Sequence, residues 1–363
     1  MARVRQIGRG ADPIAARKQD HLDLCLRGDV EAAVKTTLLE EVELVHDAVP
    51  DLALDDVDTS ARWLGKRLAA PLLITSMTGG TADAFRVNRD LARIAEEAGI
   101  AFGVGSQRAM HRRPETAWTF RVREFAPTTV LLANIGLAQA REMSPEDIRP
   151  LLEALSADAL CVHLNVAQEL VQPEGDRDFR GGTETFRRLV RGLPVPVIAK
   201  ETGCGIARSV ALRLRRAGVK NVDVSGAGGT SWTRIEGLRA PAAGRAGEIF
   251  RDWGIPTAAS LLQLRGLGLS VIASGGIRSG LDVAKAFALG ASLGGVALPV
   301  YQAYRAGGIE GARAFVAALV GELRGAMLLT GCRRLADLRR SPIVVGPRLA
   351  AWGRVALAGR RRS

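Results

Sequence analysis

The sequence predicts an α/β fold, a (β/α)8 TIM barrel with an N-terminal extension. From residue 71 onward, short apolar runs typical of buried strands alternate with segments of helical periodicity. Eight such runs occur, which is the number of strands that closes this barrel. Apolar and polar residues do not alternate along the runs, as expected for a parallel sheet covered on both faces. An open doubly wound sheet is the alternative, but no GxGxxG motif follows the first run.

The eight predicted strands share an apolar body and a polar or Gly-rich end. In chain order they are residues 71–75 (PLLIT), 100–104 (IAFGV), 129–134 (TVLLAN), 159–165 (ALCVHLN), 196–201 (PVIAKE), 221–226 (NVDVSG), 270–276 (SVIASGG) and 293–299 (LGGVALP). The segments between them are predicted helices. Phe85, Leu91 and Ile94 recur at helical spacing after the first strand, and Ser279 and Gly290 bracket a helix after the seventh.

The chain divides into three predicted regions around this repeat. Residues 1–70 form an extension that carries the segment RKQDH, residues 71–345 form the barrel, and residues 346–363 form a basic C-terminal tail. Residues 227–254 are a long Gly-rich insertion between the sixth strand and its helix. Long loops at this end of a barrel are usually lids or binding loops.

The charge and composition of the chain limit the kinds of molecule that it is expected to bind. The net charge is +12, but the arginines are scattered, and no basic stripe interleaved with aromatics or nucleic-acid-binding motif is present. Nucleic acid is therefore not expected, whereas an anionic small molecule is. No run approaches 18 apolar residues, so no membrane span is expected. The four cysteines lack a CxxC spacing and the N-terminus lacks an apolar signal region, which predicts a cytoplasmic protein.

The active site of such a barrel lies in the loops that follow the strands. The candidate site residues at these positions are Ser76, Met77, Thr78, Ser106, Gln107, Arg108, Asn134, His163, Asn165, Gln168, Glu169, Lys200, Ser225, Thr230, Gly275, Gly276 and Arg278, with Ala297 and Leu298 ending the eighth strand. Four of them, from His163 to Glu169, fall within seven residues at the end of the fourth strand. A strand that only built a core would not need so many hydrogen-bonding groups at its end.

Two of these strand ends indicate chemistry. The segment SGGIRSG offers backbone N–H groups and a helix N-terminus, which favour a phosphate. Lys200 is either a nucleophilic amine that forms a Schiff base or a fixed positive charge that stabilises a reduced flavin. In the extension, Arg17, Lys18 and His21 form a compact basic cluster that, together with Arg108, could clamp a diphosphate.

The motifs RKQDH, MTGGT, GVGSQR, HLNVAQE, PEGDRDFRG, AKETGCG, SGAGGTSW and SGGIRSG together resemble type 2 isopentenyl diphosphate isomerase. The resemblance runs from about residue 17 to residue 342. HLNxxQE followed by EGDRxFxG and GGTSW carries the specificity, whereas the GG turns and AKE are shared with other FMN-binding barrels. The resemblance implies a barrel that binds FMN, Mg²⁺ and a reductant, NADPH, and that converts isopentenyl diphosphate to dimethylallyl diphosphate without net redox change. It also implies a homotetramer or homo-octamer.

The resemblance further implies roles for individual residues. FMN would contact Ser76, Met77, Thr78, Ser106, Asn134, Lys200, Ser225, Thr230, Gly275, Gly276, Arg278, Ala297 and Leu298. The substrate would contact Arg17, Lys18, His21, Ser106, Gln107, Arg108, His163, Asn165 and Gln168, and Glu169 would ligate Mg²⁺. Reduced FMN would donate and accept the proton, with Gln168, His163 and Lys200 as the catalytic side chains around it.

Three alternatives remain at this point. An FMN-dependent oxidoreductase on the same barrel would need a histidine after the sixth strand, but the last histidine of the chain is His163. A flavin-free lyase would use Lys200 as a Schiff-base nucleophile, which borohydride trapping would reveal. A non-catalytic phospholigand sensor would not need the full set of polar groups at the strand ends.

Overall fold

Before residue 71, the described part of the chain holds one α-helix and three short strands. The computed structural model describes residues 13–26 and 29–358. Within them, helix α1 (Pro13–Leu26) precedes the strands β1 (Val42–Leu44), β2 (Ala61–Trp63) and β3 (Lys66–Leu68). Strands β2 and β3 pair as an antiparallel hairpin, with Trp63 opposite Lys66. None of the helices in this description is long and apolar enough to cross a membrane.

Eight parallel strands close a barrel, as predicted. They are β4 (Leu72–Ile74), β5 (Ala101–Gly103), β6 (Leu131–Gly136), β7 (Ala159–Leu164), β8 (Val197–Glu201), β9 (Asn221–Asp223), β10 (Ser270–Ala273) and β11 (Leu293–Val296). Each strand pairs with the next in the chain, and β11 pairs with β4. Because all strands run in one direction, their polar C-terminal ends meet at one mouth of the barrel.

Helices connect the strands and cover the outside of the barrel. They are α2 (Ala82–Glu97), α3 (Arg108–Arg112), α4 (Leu137–Glu142), α5 (Pro145–Leu155), α6 (Val166–Val171), α7 (Gly182–Gly192), α8 (Arg208–Arg216), α9 (Trp232–Arg239), α10 (Gly244–Ile249), α11 (Thr257–Leu264), α12 (Gly280–Ala288), α13 (Leu298–Leu328) and α14 (Leu335–Leu338). Strand β12 (Ile343–Val345) pairs antiparallel with β1, and helix α15 (Pro347–Ala358) follows. The arginines at 360–362 of the predicted tail lie outside the described residues.

The insertion at 227–254 stands between β9 and α11, as predicted, but it is largely helical rather than an open loop. The side chain of Ser231 accepts a hydrogen bond from the backbone of Arg234 and so caps the start of α9. Helices α9 and α10 then pack closely, because Gly237 and Gly247 bring their backbones together. A Gly-rich composition is typical of a loop. Here Gly237 and Gly247 serve helix packing instead of turns, and the composition was therefore misleading.

The interior of the barrel is filled at the end opposite the polar mouth. Leu73, Leu132 and Ile198 belong to a buried cluster of strand residues, and Trp63 and Leu68 of the hairpin join that cluster. The β2–β3 hairpin therefore closes the bottom of the barrel with apolar side chains. The polar mouth remains as the place for a binding site.

Candidate active site

One large cavity occupies the mouth of the barrel. Every site residue that the sequence predicts lines this cavity, from Arg17 in α1 to Leu298 in α13, with the exception of Gln107. The cavity contains about 1510 Å³ of space not occupied by protein atoms, part of it open to solvent. Because this space includes open solvent, the lining residues rather than the volume indicate which ligands the cavity suits.

Strand register brings polar side chains of neighbouring strands together at the floor of the cavity. His163 lies opposite Lys200, which lies opposite Asp223. His163 Nδ1 donates to Asn134 Oδ1 at 2.8 Å, which leaves Nε2 as an acceptor. Burial, reinforced by the positive charges of Lys200 and nearby arginines, lowers the pKa of His163 to about 3. His163 is therefore a neutral hydrogen-bonding group at physiological pH.

Lys200 is held as a cation at this floor. Its Nζ lies 3.1 Å from Asp223 Oδ2, and the side chain is only 8% exposed. Nζ also donates to the carbonyl of Glu201 at 3.0 Å. A carboxylate partner stabilises the protonated amine, whereas a Schiff-base nucleophile must lose its proton. The geometry favours the fixed positive charge over the nucleophilic amine.

Within the run AKETGCG, Glu201 shapes the loop after β8. Its Oε2 accepts backbone hydrogen bonds from Thr202 and Cys204 at 2.6 Å and from Gly203 at 2.9 Å. Burial raises the pKa of Glu201 to about 7, although these N–H groups act in the opposite direction. Thr202 and Gly203 thereby reach the wall of the cavity.

Glu169, the predicted metal ligand, is oriented by two separate motifs. Its Oε1 accepts from Asn165 Nδ2 and its Oε2 from the backbone of Asp176, both at 2.8 Å. Arg177 donates to the carbonyls of Glu169 and Gln172 and so fixes the EGDR turn under α6. In residues 13–26 and 29–358, no three His, Cys, Asp or Glu side chains cluster as a metal site. A metal at Glu169 would therefore need ligands from a substrate and from water.

Glu236 organises the mouth, although the sequence reasoning missed it. Its side chain is fully buried behind the cavity, and its Oε1 lies 3.0 Å from His21 Nε2 and 2.9 Å from Gln168 Nε2. Arg239 Nε donates to the other oxygen at 2.8 Å. Burial would raise the pKa of Glu236, but the bonds from His21, Gln168 and Arg239 outweigh it and lower the pKa to about 2. The available signal was that Glu236 is the single acid between Asp223 and Glu248.

Positive charge concentrates where α1 meets the loop after β5. Lys18 Nζ donates to the carbonyls of Gly79 and Ser106, and Arg17 and Arg108 line the same cavity. Burial lowers the pKa of Arg108, and the charges of Arg112 and Arg17 lower it further. A pKa lowered by other cations indicates positive charge that the protein does not fully balance, which suits an anionic ligand.

Gln107 differs from its predicted role as a substrate contact. The side chain is fully buried, with Nε2 donating to the carbonyl of Leu151 at 2.8 Å and Oε1 accepting from the backbone of Asn134 at 3.1 Å. Gln107 therefore joins the loop after β5 to β6 and does not reach the cavity. Its neighbours Ser106 and Arg108 do reach it.

The Gly-rich turn after β10 lines the cavity, but its phosphate-binding elements are fewer than predicted. Gly275 has a φ of +89°, and a Cβ there would lie 2.2 Å from the carbonyl oxygen of Gly226, so two turns pack backbone to backbone. The backbone N–H groups of Arg278 and Ser279 both donate to Asp282 at 3.0 Å. The predicted anion site at the N-terminus of α12 is therefore already occupied by a carboxylate of the chain. Gly275 and Gly276 themselves remain at the cavity.

Several lining residues had no predicted role. Trp232, Tyr301, Leu22 and Cys25 contribute apolar surface to the cavity. The Trp232 ring meets the His21 ring edge to face, with centroids 5.2 Å apart. Trp232 belongs to the motif GGTSW, so its position in the sequence was a usable signal. A cavity with both cationic and apolar walls suits a ligand that has an anionic head and a hydrocarbon body.

Comparison with known proteins gives a consistent picture. Residues 180–345 match the family model of FMN-dependent dehydrogenase. Two solved structures have the same fold: a mandelate oxidase mutant with the monooxide FMN adduct (TM-score 0.61, 24% identity, 93% of this chain and 100% of that chain) and a mandelate oxidase mutant with benzaldehyde (TM-score 0.62, 22% identity, 92% and 98%). At these identities the likeness concerns the fold alone.

Curated relatives are more similar in sequence. Isopentenyl-diphosphate delta-isomerase of Methanosarcina acetivorans is 46% identical over 91% of each chain. The enzyme of that name from a Synechococcus species is 52% identical over 79% of this chain and 86% of its own length, and that of Pyrococcus furiosus is 42% identical over 93% and 88%. Together with the FMN-dependent dehydrogenase match, these similarities place the chain in the isopentenyl-diphosphate delta-isomerase family, in its type 2, FMN-dependent branch.

Proposed function

We propose that the chain interconverts isopentenyl diphosphate and dimethylallyl diphosphate in the cavity at the barrel mouth, with FMN bound beside the substrate. The observation that carries this proposal is that one cavity combines two sets of groups. Lys200 and the Gly275–Gly276 turn form a first set, which suits FMN. Arg17, Lys18 and Arg108 form a second set, which suits a diphosphate.

One buried polar atom at the cavity lacks a hydrogen-bond partner from the protein, which supports a bound FMN. The buried hydroxyl oxygen of Thr78 makes no hydrogen bond within the described residues, although it lies at the cavity. Such a group requires a ligand or water. Thr78 and the Gly275–Gly276 turn would hold FMN, and Lys200 would supply a positive charge beside its ring. When bound in its reduced form, FMN supplies the proton donor and acceptor that an alkene requires.

The chain's own residues position the substrate for this proton transfer. Glu169 would hold Mg²⁺ against the diphosphate, with phosphate oxygens and waters completing the coordination. His163 is neutral, so its Nε2 atom would accept a hydrogen bond from the substrate without adding charge to the site. Gln168, whose amide nitrogen is held by Glu236 at 2.9 Å, would place a neutral group beside the hydrocarbon. The positive cluster of α1 and Arg108 would hold the anionic end.

We also propose NADPH as the reductant, Mg²⁺ as the metal, a homotetramer or homo-octamer as the assembly and the cytoplasm as the location. NADPH and the assembly state rest on the motif resemblance, and the cytoplasmic location rests on the four cysteines, which lack a CxxC spacing. Mg²⁺ has structural support from the oriented carboxylate of Glu169. The size of the protein in solution would test the assembly. Turnover in the presence of EDTA would test the metal, and turnover with NADH in place of NADPH would test the reductant.

The decisive experiment is an anaerobic assay of the purified protein with isopentenyl diphosphate, Mg²⁺ and FMN, with and without NADPH. Dimethylallyl diphosphate should form only when the flavin is reduced, and no NADPH should be consumed per turnover. Absence of product despite a bound, reducible flavin would contradict the proposal. Anaerobic reduction of the oxidised, bound FMN by a 2-hydroxy acid, with NADPH and isopentenyl diphosphate left out, would instead identify an FMN-dependent oxidoreductase.

Two variants test the assignment of the anionic end. Arg108→Gln should raise KM for isopentenyl diphosphate by roughly 10-fold or more, because it removes a charged hydrogen-bond donor. Arg149→Gln is the matched control, since Arg149 is half exposed on α5, where it pairs with Glu146. Equal KM values for the two variants would place the diphosphate elsewhere.

A further inference from the structure

Asp223 is a buried carboxylate beside the cavity that the proposed mechanism does not use. It is 1% exposed on β9 and does not line the cavity. Its Oδ2 lies 3.1 Å from Lys200 Nζ on the neighbouring strand β8. Its Oδ1 accepts from Ser274 Oγ at 2.5 Å, just beyond β10 on the other side, and from the backbone of Ser225 at 3.2 Å.

Strand register explains why these groups meet. Lys200 and Asp223 are direct partners in the β8–β9 ladder, so their side chains leave the barrel wall at the same height. A carboxylate without a partner at this depth would be strongly destabilising. From the two flanking strands, Lys200 places its ammonium 3.1 Å from Oδ2 as an ion pair and Ser274 donates to Oδ1, while Oδ2 accepts no hydrogen bond within the described residues. Of the three residues, only Lys200 and Ser274 reach the cavity.

The ammonium of Lys200 therefore has a defined place and a reduced effective charge. A lone lysine has four rotatable carbon–carbon torsions, but the carboxylate of Asp223 selects a conformation in which Nζ lies 3.1 Å away. The same carboxylate offsets part of the positive potential that Lys200 projects into the cavity. Removing Asp223 would raise that potential, and removing Lys200 would lower it.

We propose that Asp223 is a positioning residue that sets, through Lys200, how strongly this site favours reduced over oxidised FMN. The proposal rests on the proposed function, since it requires FMN in the cavity. It predicts that the chain holds the flavin potential below the value that an unpaired lysine would give. Ser274 fixes the orientation of the Asp223 carboxylate through its hydroxyl group.

The test is the two-electron reduction potential of bound FMN, measured anaerobically with dithionite and a reference dye. Asp223→Asn should tighten the binding of reduced relative to oxidised FMN by about tenfold, which corresponds to a potential about 30 mV higher. Lys200→Met should lower the potential. In the Lys200→Met background, Asp223→Asn should cause a smaller shift than in wild type, because the part of its effect that comes from positioning the lysine is lost.

A purely structural role gives a different result. It would lower the melting temperature and FMN affinity of Asp223→Asn without raising the potential, and that outcome would overturn the proposal. Asp158→Asn is the control: Asp158 is also ion-paired, to Lys66 at 2.7 Å, but lies at the start of β7, away from the cavity. It should alter stability and leave the potential unchanged.

Two further measurements keep the outcomes separate. Asp223→Ser removes the charge with a smaller side chain and should shift the potential in the same direction if the amide variant does not fold. Asp223→Glu retains the charge and should stay near the wild-type potential. If wild-type protein binds no FMN at all, the proposed function fails, whereas normal FMN binding with an unshifted Asp223 variant overturns this inference alone.

Discussion

Glu236 connects three parts of the chain through one carboxylate. His21 comes from the N-terminal helix, Gln168 from helix α6 after the fourth barrel strand, and Arg239 from the same helix as Glu236. Because the carboxylate is fully buried, each of these bonds acts in a medium of low polarity and is stronger than it would be in water. The position of the predicted substrate contacts His21 and Gln168 therefore depends on a residue that does not itself touch the cavity.

Glu236→Gln should reduce kcat/KM for isopentenyl diphosphate by roughly 10- to 100-fold. Replacing a buried carboxylate by an amide weakens its charge-assisted bonds, which contribute about 1.5–3 kcal/mol each. Steady-state kinetics with reduced enzyme measures this, while FMN affinity should stay close to wild type. Glu310→Gln, which removes an exposed pair with Arg313, is the control, and an equal effect in both variants would rule out a role for Glu236 in positioning.

His163 should make stability depend on pH. Burial and neighbouring cations lower the pKa of His163 to about 3 from an ordinary 6.5. The unfolded chain therefore takes up the proton first as pH falls, and the folded state loses stability between about pH 6.5 and pH 3. His163→Asn removes this contribution, so the variant should lose less unfolding free energy than wild type between pH 6.5 and 4.5, by on the order of 2 kcal/mol.

Urea unfolding of the FMN-free protein at a series of pH values provides the measurement. His46→Asn is the matched control, because His46 is exposed and its loss should leave the pH dependence as it is in wild type. Identical pH slopes for wild type and His163→Asn would mean that His163 is not held neutral in the folded protein.

Helices α9 and α10, which lie in the insertion at residues 227–254, support the active site. Helix α9 carries Trp232 at the cavity and Glu236 behind it, and α10 packs along α9. The contact is close because a Cβ on Gly247 would lie 2.7 Å from the Gly237 Cα and 2.8 Å from the carbonyl oxygen of Thr233. Displacing α10 would therefore move the helix that holds His21 and Gln168 in place.

Gly247→Ala should destabilise the protein by about 1–3 kcal/mol, because backbone atoms leave no space for the methyl group. It should also lower kcat/KM, since α9 shifts with α10. Gly244→Ala in the same helix is the control: the nearest atom to its Cβ is 3.8 Å away, which is ordinary contact. Chemical denaturation and kinetics of both variants test this, and equal stability of the two would contradict the packing account.

The barrel separates stability from function by placing them at opposite ends. The β2–β3 hairpin closes the bottom with Trp63 and Leu68, and the cavity opens at the strand ends. At the bottom, Lys66 lies 2.7 Å and Arg123 2.8 Å from the carboxylate of Asp158. Residues before the first barrel strand thus serve both ends, with α1 at the mouth and the hairpin at the base.

Trp63→Ala should therefore lower the unfolding free energy by about 3–5 kcal/mol, as for other large buried aromatics. Because Trp63 lies far from the mouth, kcat/KM at 25 °C should stay within about twofold of wild type. Trp118→Ala is the comparison, since Trp118 is 47% exposed and should cost much less stability. A large loss of activity in folded Trp63→Ala would show that the two ends are coupled.

Much of the architecture followed from local patterns. Buried parallel strands are continuous apolar runs, so all eight could be located, and their polar ends could be grouped because such ends share one mouth. Glu169 and His163 were identified in this way, within seven residues of one strand end. Local composition misled at residues 227–254, because glycines in α9 and α10 serve helix contact rather than a loop.

By itself, the sequence determined the barrel, its strand order, the set of residues at the mouth and, through its motifs, the family. Only the tertiary structure decided which of those residues face the cavity and what holds them. Gln107 turns away to bond Leu151, and Glu236 reaches His21, 215 positions earlier in the chain. The physical reason is that such contacts depend on strand register and helix packing between distant segments, which no local pattern of residues encodes.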